Sequence, residues 1–531
     1  MASAHCAPPE TQPECRASGL QHRYYSWKLS GPYDVIVVGA DLASLSSAAC
    51  LARLGQKVLV LEADKILQAA APVFQGNGYR WYNRVEYFGA AGQPEALAHH
   101  LSAFISEGRI AWHSLQENND TVVINGESFG LISGHKNFAQ SVIRHFPREE
   151  KAVNHYIELV HQACALAEQQ DFAAITPWPQ NLLLKYRGQH PLLQRTTREV
   201  LSELTGNEKL IALLTANWAD LGIPPAESLF VQHALHVRQK LMASFYPQGG
   251  SEAVIEDIIA TIEGAGGNVF HSAVVDRILL KGDHAIGVEM QDGQCIYAAK
   301  IIHAPVSAQR QHKVKTIPAA NATGHMSLYI GLNRSAAFLN LPRTDYWIYS
   351  HMDYEQAMAA FCHNVCEEFP AVHIAFAPLL NCACQCSPKD CATIEIQVPV
   401  PLKWFSRWQN AQAANADDDY AAFTASLCKR LIETLLKRFP HLARHIDYYE
   451  LVTPATRQRL PDGPVGRAEN PPAIKNLHLP DAGLLPGMPG SLYAGIICAS
   501  QVAGFTYRKM ARRIFPLQKK ILKKDQAMLA G

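Results

Sequence analysis

Gly39 and Glu62 are the residues with the clearest chemical meaning. Gly39 follows an apolar run, Val35 to Val38, and Glu62 follows a second, Val58 to Leu61. An acidic residue 23 positions after such a glycine is placed to bond a ribose hydroxyl of a dinucleotide. The full fingerprint asks for glycine at 39, 41 and 44, where this chain has Gly39, Asp41 and Ser44. The second glycine lets the backbone approach a pyrophosphate, and Asp41 puts bulk and negative charge there. Two like charges about 4 Å apart repel by about 4 kcal/mol at an effective dielectric near 20. That weakens binding about a thousandfold. Ser44 is the milder change, because serine still packs near a strand.

Other chemistry-bearing groups carry less. Cys362, Cys366, Cys382, Cys384, Cys386 and Cys391 gather beside His363. Soft thiolates at close spacing suit zinc, copper(I) or an iron–sulfur cluster. The one-residue gaps between Cys382, Cys384 and Cys386 are not those of structural zinc knuckles, so a loop without metal is expected. Gly126, Ser128 and Gly130 match a nucleophile elbow, which requires strand, sharp turn and helix. Here Thr121 to Ile124 predicts a strand, Asn125-Gly126 a hairpin turn and Ser128 to Ile132 a return strand, so no serine hydrolase is expected. The pair His99 and His100 is expected at the end of a helix, without chemistry.

The elements that would hold Gly39 and Glu62 form a βαβ unit. Short β-branched runs predict buried parallel strands on either side of a helix from Leu42 to Leu54, with Gly55 at its C-terminal cap. A later block has Gly249 and Gly250, then Val254, Ile255, Ile258, Ile259 and Ile262 on one helical face. It continues with strands over Asn268 to Phe270 and Val274 to Leu280, and a hairpin around Asp292-Gly293. Near the C-terminus, Pro480 to Gly483 and Gly487 to Gly490 precede a helix expected over Ala494 to Ala503. Between residues 99 and 242 the periodicity predicts mainly helix, including Val153 to Gln169, Arg195 to Thr205 and Leu210 to Ala219.

The composition sets limits. A chain of 531 residues predicts two or three compact units. Lys plus Arg is 48 and Asp plus Glu is 47, which excludes a globally basic nucleic-acid binder. With 48% hydrophobic and 18% charged residues, the chain has enough apolar mass for a large core. No apolar stretch reaches the length of about eighteen residues that a spanning helix needs. The first thirty residues lack the apolar run of a secretory signal, so the 13 cysteines are expected to be reduced thiols of a cytoplasmic protein. From Arg508 to Lys524 eight basic residues alternate with Ile514, Phe515, Leu517, Ile521 and Leu522, a pattern suited to peripheral contact with an anionic membrane.

Taken in order, these blocks resemble the FAD-dependent phytoene desaturase, carotenoid isomerase and retinol saturase family. The likeness covers roughly residues 32 to 515, and includes Asp345 to Tyr349, Met352 to Met358, and Trp404 and Phe405 with Trp408. It implies an α/β chain: a Rossmann-like FAD-binding domain interleaved with a mixed α+β substrate domain. The FAD domain would take 32–98, 243–312 and 446–510, and the substrate domain 99–242 and 313–445. Residues 1–31 would be a disordered extension and 511–531 a basic tail. The resemblance further implies that Gly39, Ser44 and Glu62 stand at the pyrophosphate and ribose motif. Val275 would meet the adenine through its backbone, and Gly487 and Gly490 the flavin and ribityl end. The implied ligand is an apolar polyene or lipid, and NAD(P)H is the candidate electron donor. No residue is marked as the catalytic acid or base.

The chain departs from the family at the cofactor. Residues Asp64 to Gln75 lack the family's glycine pair, and Tyr82 to Tyr87 replace an Asp-x-Gly motif. The segments Pro480 to Gly483 and Arg459 to Asn470 look shortened. Two functions therefore follow: an oxidoreductase-family protein acting on or binding a long isoprenoid-like molecule, or a non-catalytic descendant serving as a lipid-binding or interaction scaffold.

Overall fold

Strands made almost wholly of Val, Ile and Leu sit at the centre of an eight-stranded mixed sheet. Its order is His22–Arg23, Asn268–His271, Val58–Leu61, Tyr33–Val38, Cys295–His303, His284–Met290 and Val275–Lys281, with Leu477–His478 also pairing Cys295–His303. The first five strands run parallel, and the last three of the path form an antiparallel meander. Burial on both faces explains their unbroken apolar runs. The computed structural model describes residues 22–63, 73–82, 88–89, 91–93, 97–114, 119–169, 190–242, 244–304, 323–376, 391–408, 418–456, 474–480, 487–507 and 509–514.

The helix Leu42–Arg53 lies beside this sheet, packed by the helices Gly250–Gly264 and Gly487–Val502. Small residues set the last of these contacts. A β-carbon on Gly495 would fall 2.5 Å from both the Ala43 carbonyl and the Ser46 β-carbon. The Ser47 hydroxyl donates to the Gly495 carbonyl at 2.8 Å. Gly495→Val is therefore expected to force these helices apart at a cost of about 1–3 kcal/mol, measured as a lower urea midpoint.

A second sheet has seven strands, in the order Ile446–Val452, Thr323–Leu332, Ala392–Pro401, Ala371–Phe376, Tyr346–Tyr349, Asn119–Ile124 and Glu127–Ile132. Ile446–Val452 pairs antiparallel along Thr323–Leu332. Met326, Leu328 and Ile330 join Ile394, Ile396 and Val398 in a core on one face, under the helix Asp418–Arg438. A hairpin, Val73–Gly76 with Tyr79–Tyr82, packs on the other face.

Three local expectations change. Residues 22–31 are ordered, because His22–Arg23 adds to the edge of Asn268–His271 and Tyr24 meets Phe270 edge-on. The helix expected over Leu210 to Ala219 divides into Glu208–Thr215 and Trp218–Leu221. His99 and His100 lie in the first turn of Leu97–Ser106, not at its end, with His99 Nδ1 2.8 Å from the Ala91 carbonyl.

Candidate functional site

Gly39 closes the strand Tyr33–Val38 with φ of 91°, a left-handed conformation that favours glycine. Its N–H donates to the Leu61 carbonyl at 2.8 Å, which holds the turn beside the end of Val58–Leu61. Glu62 follows directly and is buried. Its Oε2 accepts from the Ala40 N–H at 2.7 Å. Its own N–H donates to the Phe270 carbonyl, and its carbonyl accepts from the Ala273 N–H. Val275, two residues beyond, is buried where its strand begins. Gly39, Ser44, Glu62 and Val275 are thus gathered at one end of the sheet. Gly487 and Gly490 lie in the first turn of the helix Gly487–Val502, which starts seven residues before the expected Ala494.

Asp41 caps the helix Leu42–Arg53. Its Oδ1 accepts from the Ser44 N–H at 2.7 Å. Burial pushes the Asp41 carboxyl above its ordinary range, and hydrogen bonds from Ser44 and Ala43 oppose that shift. A helix N-terminus binds a phosphate through these first-turn N–H groups. In this chain the carboxylate of Asp41 already takes one of them. The carboxylate end of the site suits a ribose, but the diphosphate end does not suit a diphosphate.

Sequence reasoning missed His303. It is buried at the end of Cys295–His303, opposite Val38, and Ala304 N–H donates to the Val38 carbonyl at 2.8 Å. Its only signal was its place as the last residue of an apolar strand. Cys50 and Cys498 lie in the two packed helices, and burial raises both thiols to about 12, so neither supplies a thiolate.

The remaining groups stay apart from this site. Ser128 sits on the return strand of a hairpin whose turn, Asn125-Gly126, has positive φ at both residues, and it accepts from Arg438. No metal-binding group of His, Cys, Asp or Glu occurs among the described residues, and Cys382, Cys384 and Cys386 lie outside them. So do 64–72, 459–470, 481–483 and 515–531, where other expected departures and most of the basic tail fall. No helix among the described residues is long and apolar enough to cross a membrane. An open cleft of about 830 Å³ lies between Asp418–Arg438 and Ile446–Val452, lined in part by Phe74, Tyr420 and Leu451.

No family model matches the chain. It is 27% identical to the all-trans-retinol 13,14-reductase of Homo sapiens over 549 aligned residues, covering 93% of this chain and 90% of the relative. It is 24% identical to an inactive all-trans-retinol 13,14-reductase of Danio rerio, covering 91% and 88%. A phytoene desaturase of Cercospora nicotianae matches at 23% identity over 50% of this chain and 44% of the relative. Among solved structures, an oxidoreductase from Methanosarcina mazei has a TM-score of 0.52 at 13% identity, covering 89% of this chain and all of that one. Cyclohexylamine oxidase from Brevibacterium oxydans has a TM-score of 0.50 at 16% identity, covering 89% and 99%. None of these likenesses speaks for NAD(P)H as a donor. The chain is thus similar along most of its length to all-trans-retinol 13,14-reductases and along half of it to a phytoene desaturase.

Proposed function

We propose that the chain is an oxidoreductase-family protein whose ligand is a long apolar polyene or isoprenoid. The observation that carries this reading is the end-to-end likeness to all-trans-retinol 13,14-reductase, through 93% of the chain. Its catalytic form takes FAD, with Gly39, Ser44, Glu62, Val275, Gly487 and Gly490 as the binding residues. A second reading rests on Asp41. The chain is then a non-catalytic descendant that keeps the fold and the lipid site. The Danio rerio relative named inactive supports that reading. In either form we place the protein in the cytoplasm, with the basic segment from Arg508 to Lys524 against an anionic membrane that supplies the ligand.

The test is the visible absorption spectrum of purified protein, before and after incubation with excess FAD. The expected result is a folded protein with no flavin band after gel filtration, because Asp41 opposes the diphosphate. A retained flavin band would overturn the non-catalytic reading and return the chain to the active oxidoreductases.

A further inference from the structure

One turn beside the eight-stranded sheet is built with its aromatic side chains outward. Tyr24 and Leu29 pack against a core that holds Ile36, Leu59, Phe270 and Val288. Between them Ser26–Lys28 makes a single tight turn, closed by the Lys28 N–H on the Tyr25 carbonyl at 2.9 Å. Tyr24 and Leu29 face inward, so Tyr25 and Trp27 face out. Trp27 is 75% exposed, the most of any large hydrophobic among the described residues, and Tyr25 is 42% exposed. Folding gains little from a ring left so far in solvent.

Both ends of this turn are tied down. His22–Arg23 pairs with Asn268–His271 on one side of it. On the other, the Ser30 hydroxyl donates to Asn268 Oδ1 at 2.7 Å, and Lys57 Nζ donates to the Ser30 carbonyl at 2.6 Å. The Tyr25 and Trp27 rings stack, with centroids 5.7 Å apart. Cations sit on them. Lys28 Nζ lies 5.0 Å from the centre of the Tyr25 ring and 5.4 Å from that of Trp27, and the Arg23 guanidinium lies 6.0 Å from Tyr25.

Area and charge decide what covers such a turn. A tyrosine or tryptophan buries about 150–250 Å² at most. A stable protein interface takes about 800 Å² from each partner. Two rings on one turn, next to the exposed Ser26, Ser30 and Gly31, fall short of that. A lipid surface sets no such minimum. Indole and phenol rings settle at the headgroup level of a bilayer, which is apolar on one side and wet on the other. Lys and Arg beside them lay their stems along the rings and carry their charge to the phosphates. We infer that Tyr25 and Trp27 enter the headgroup layer of an anionic membrane, with Arg23 and Lys28 on lipid phosphates. The partner rests on the membrane reading above, but the residues are separate from the basic segment Arg508 to Lys524.

The test is sedimentation of the full chain with vesicles of equimolar phosphatidylcholine and phosphatidylserine, and with phosphatidylcholine alone. Trp27→Ser is expected to weaken binding by about tenfold or more. Lys28→Gln is expected to weaken it about fivefold, and only where phosphatidylserine is present. Trp27 is one of 8 tryptophans, so the difference in quenching by brominated lipid between the wild type and Trp27→Phe reads that ring alone. The wild type should be quenched more, and circular dichroism should be the same in every variant. Equal binding and equal quenching overturn the inference. If binding is then abolished by changing Lys519, Lys520, Lys523 and Lys524 to Gln, the basic segment is the whole contact and the membrane reading stands. If the folded wild type binds neither vesicle, both fail. If Trp27→Ser lowers the mass of an oligomer in gel filtration and leaves vesicle binding unchanged, the turn is a protein contact and the inference is overturned.

Discussion

Asp41→Gly is expected to raise the affinity for FAD by about a thousandfold. The substitution removes the carboxylate that now takes the Ser44 N–H at 2.7 Å. It restores the small residue that a diphosphate needs at that turn. Stability should change little, because glycine in place of an aspartate N-cap costs only a few tenths of a kcal/mol. Asp41→Asn separates charge from bulk: it keeps a capping side chain and removes the charge. If charge dominates, Asn should recover most of the gain. If bulk dominates, only Gly should. Flavin fluorescence quenching gives both affinities. An unchanged affinity in both variants would mean that the glycine pair missing from Asp64 to Gln75 and the altered segment from Pro480 to Gly483 limit binding instead.

How far the sequence spoke depended on the range of the interactions involved. The βαβ unit was legible almost to the residue, because its apolar runs, helix and capping glycine are local signals. The strand Val58–Leu61 and the helix Leu42–Arg53 match the expectation within one residue. The C-terminal helix was placed too late because Gly487, Pro489 and Gly490 resemble a turn. Proline is tolerated in a first helical turn, where its missing N–H has no partner to lose. The pairing of Ile446–Val452 with Thr323–Leu332 joins residues more than a hundred positions apart, which no local pattern reveals. The residue type marks Asp41 as an obstacle to a diphosphate, and the fold adds that its side chain caps the helix Leu42–Arg53.

Trp81→Ala should be the most destabilising single change at the join between the hairpin and the seven-stranded sheet. Trp81 is buried, with Phe74 at 5.5 Å and Tyr329 at 5.7 Å. Its Nε1–H is shared between the Ile330 and Ile394 carbonyls, 3.2 Å from each. These bonds tie a hairpin that follows Glu62 in the chain to two central strands of the other sheet. Removing the ring leaves a cavity and frees the hairpin, at an expected cost of about 3–5 kcal/mol. Circular dichroism in urea would show this as a lower midpoint, and the two sheets would unfold in separate steps if this is their main tie. Trp81→Phe keeps most of the aromatic packing and loses only the shared hydrogen bond, so it should cost about 1–2 kcal/mol.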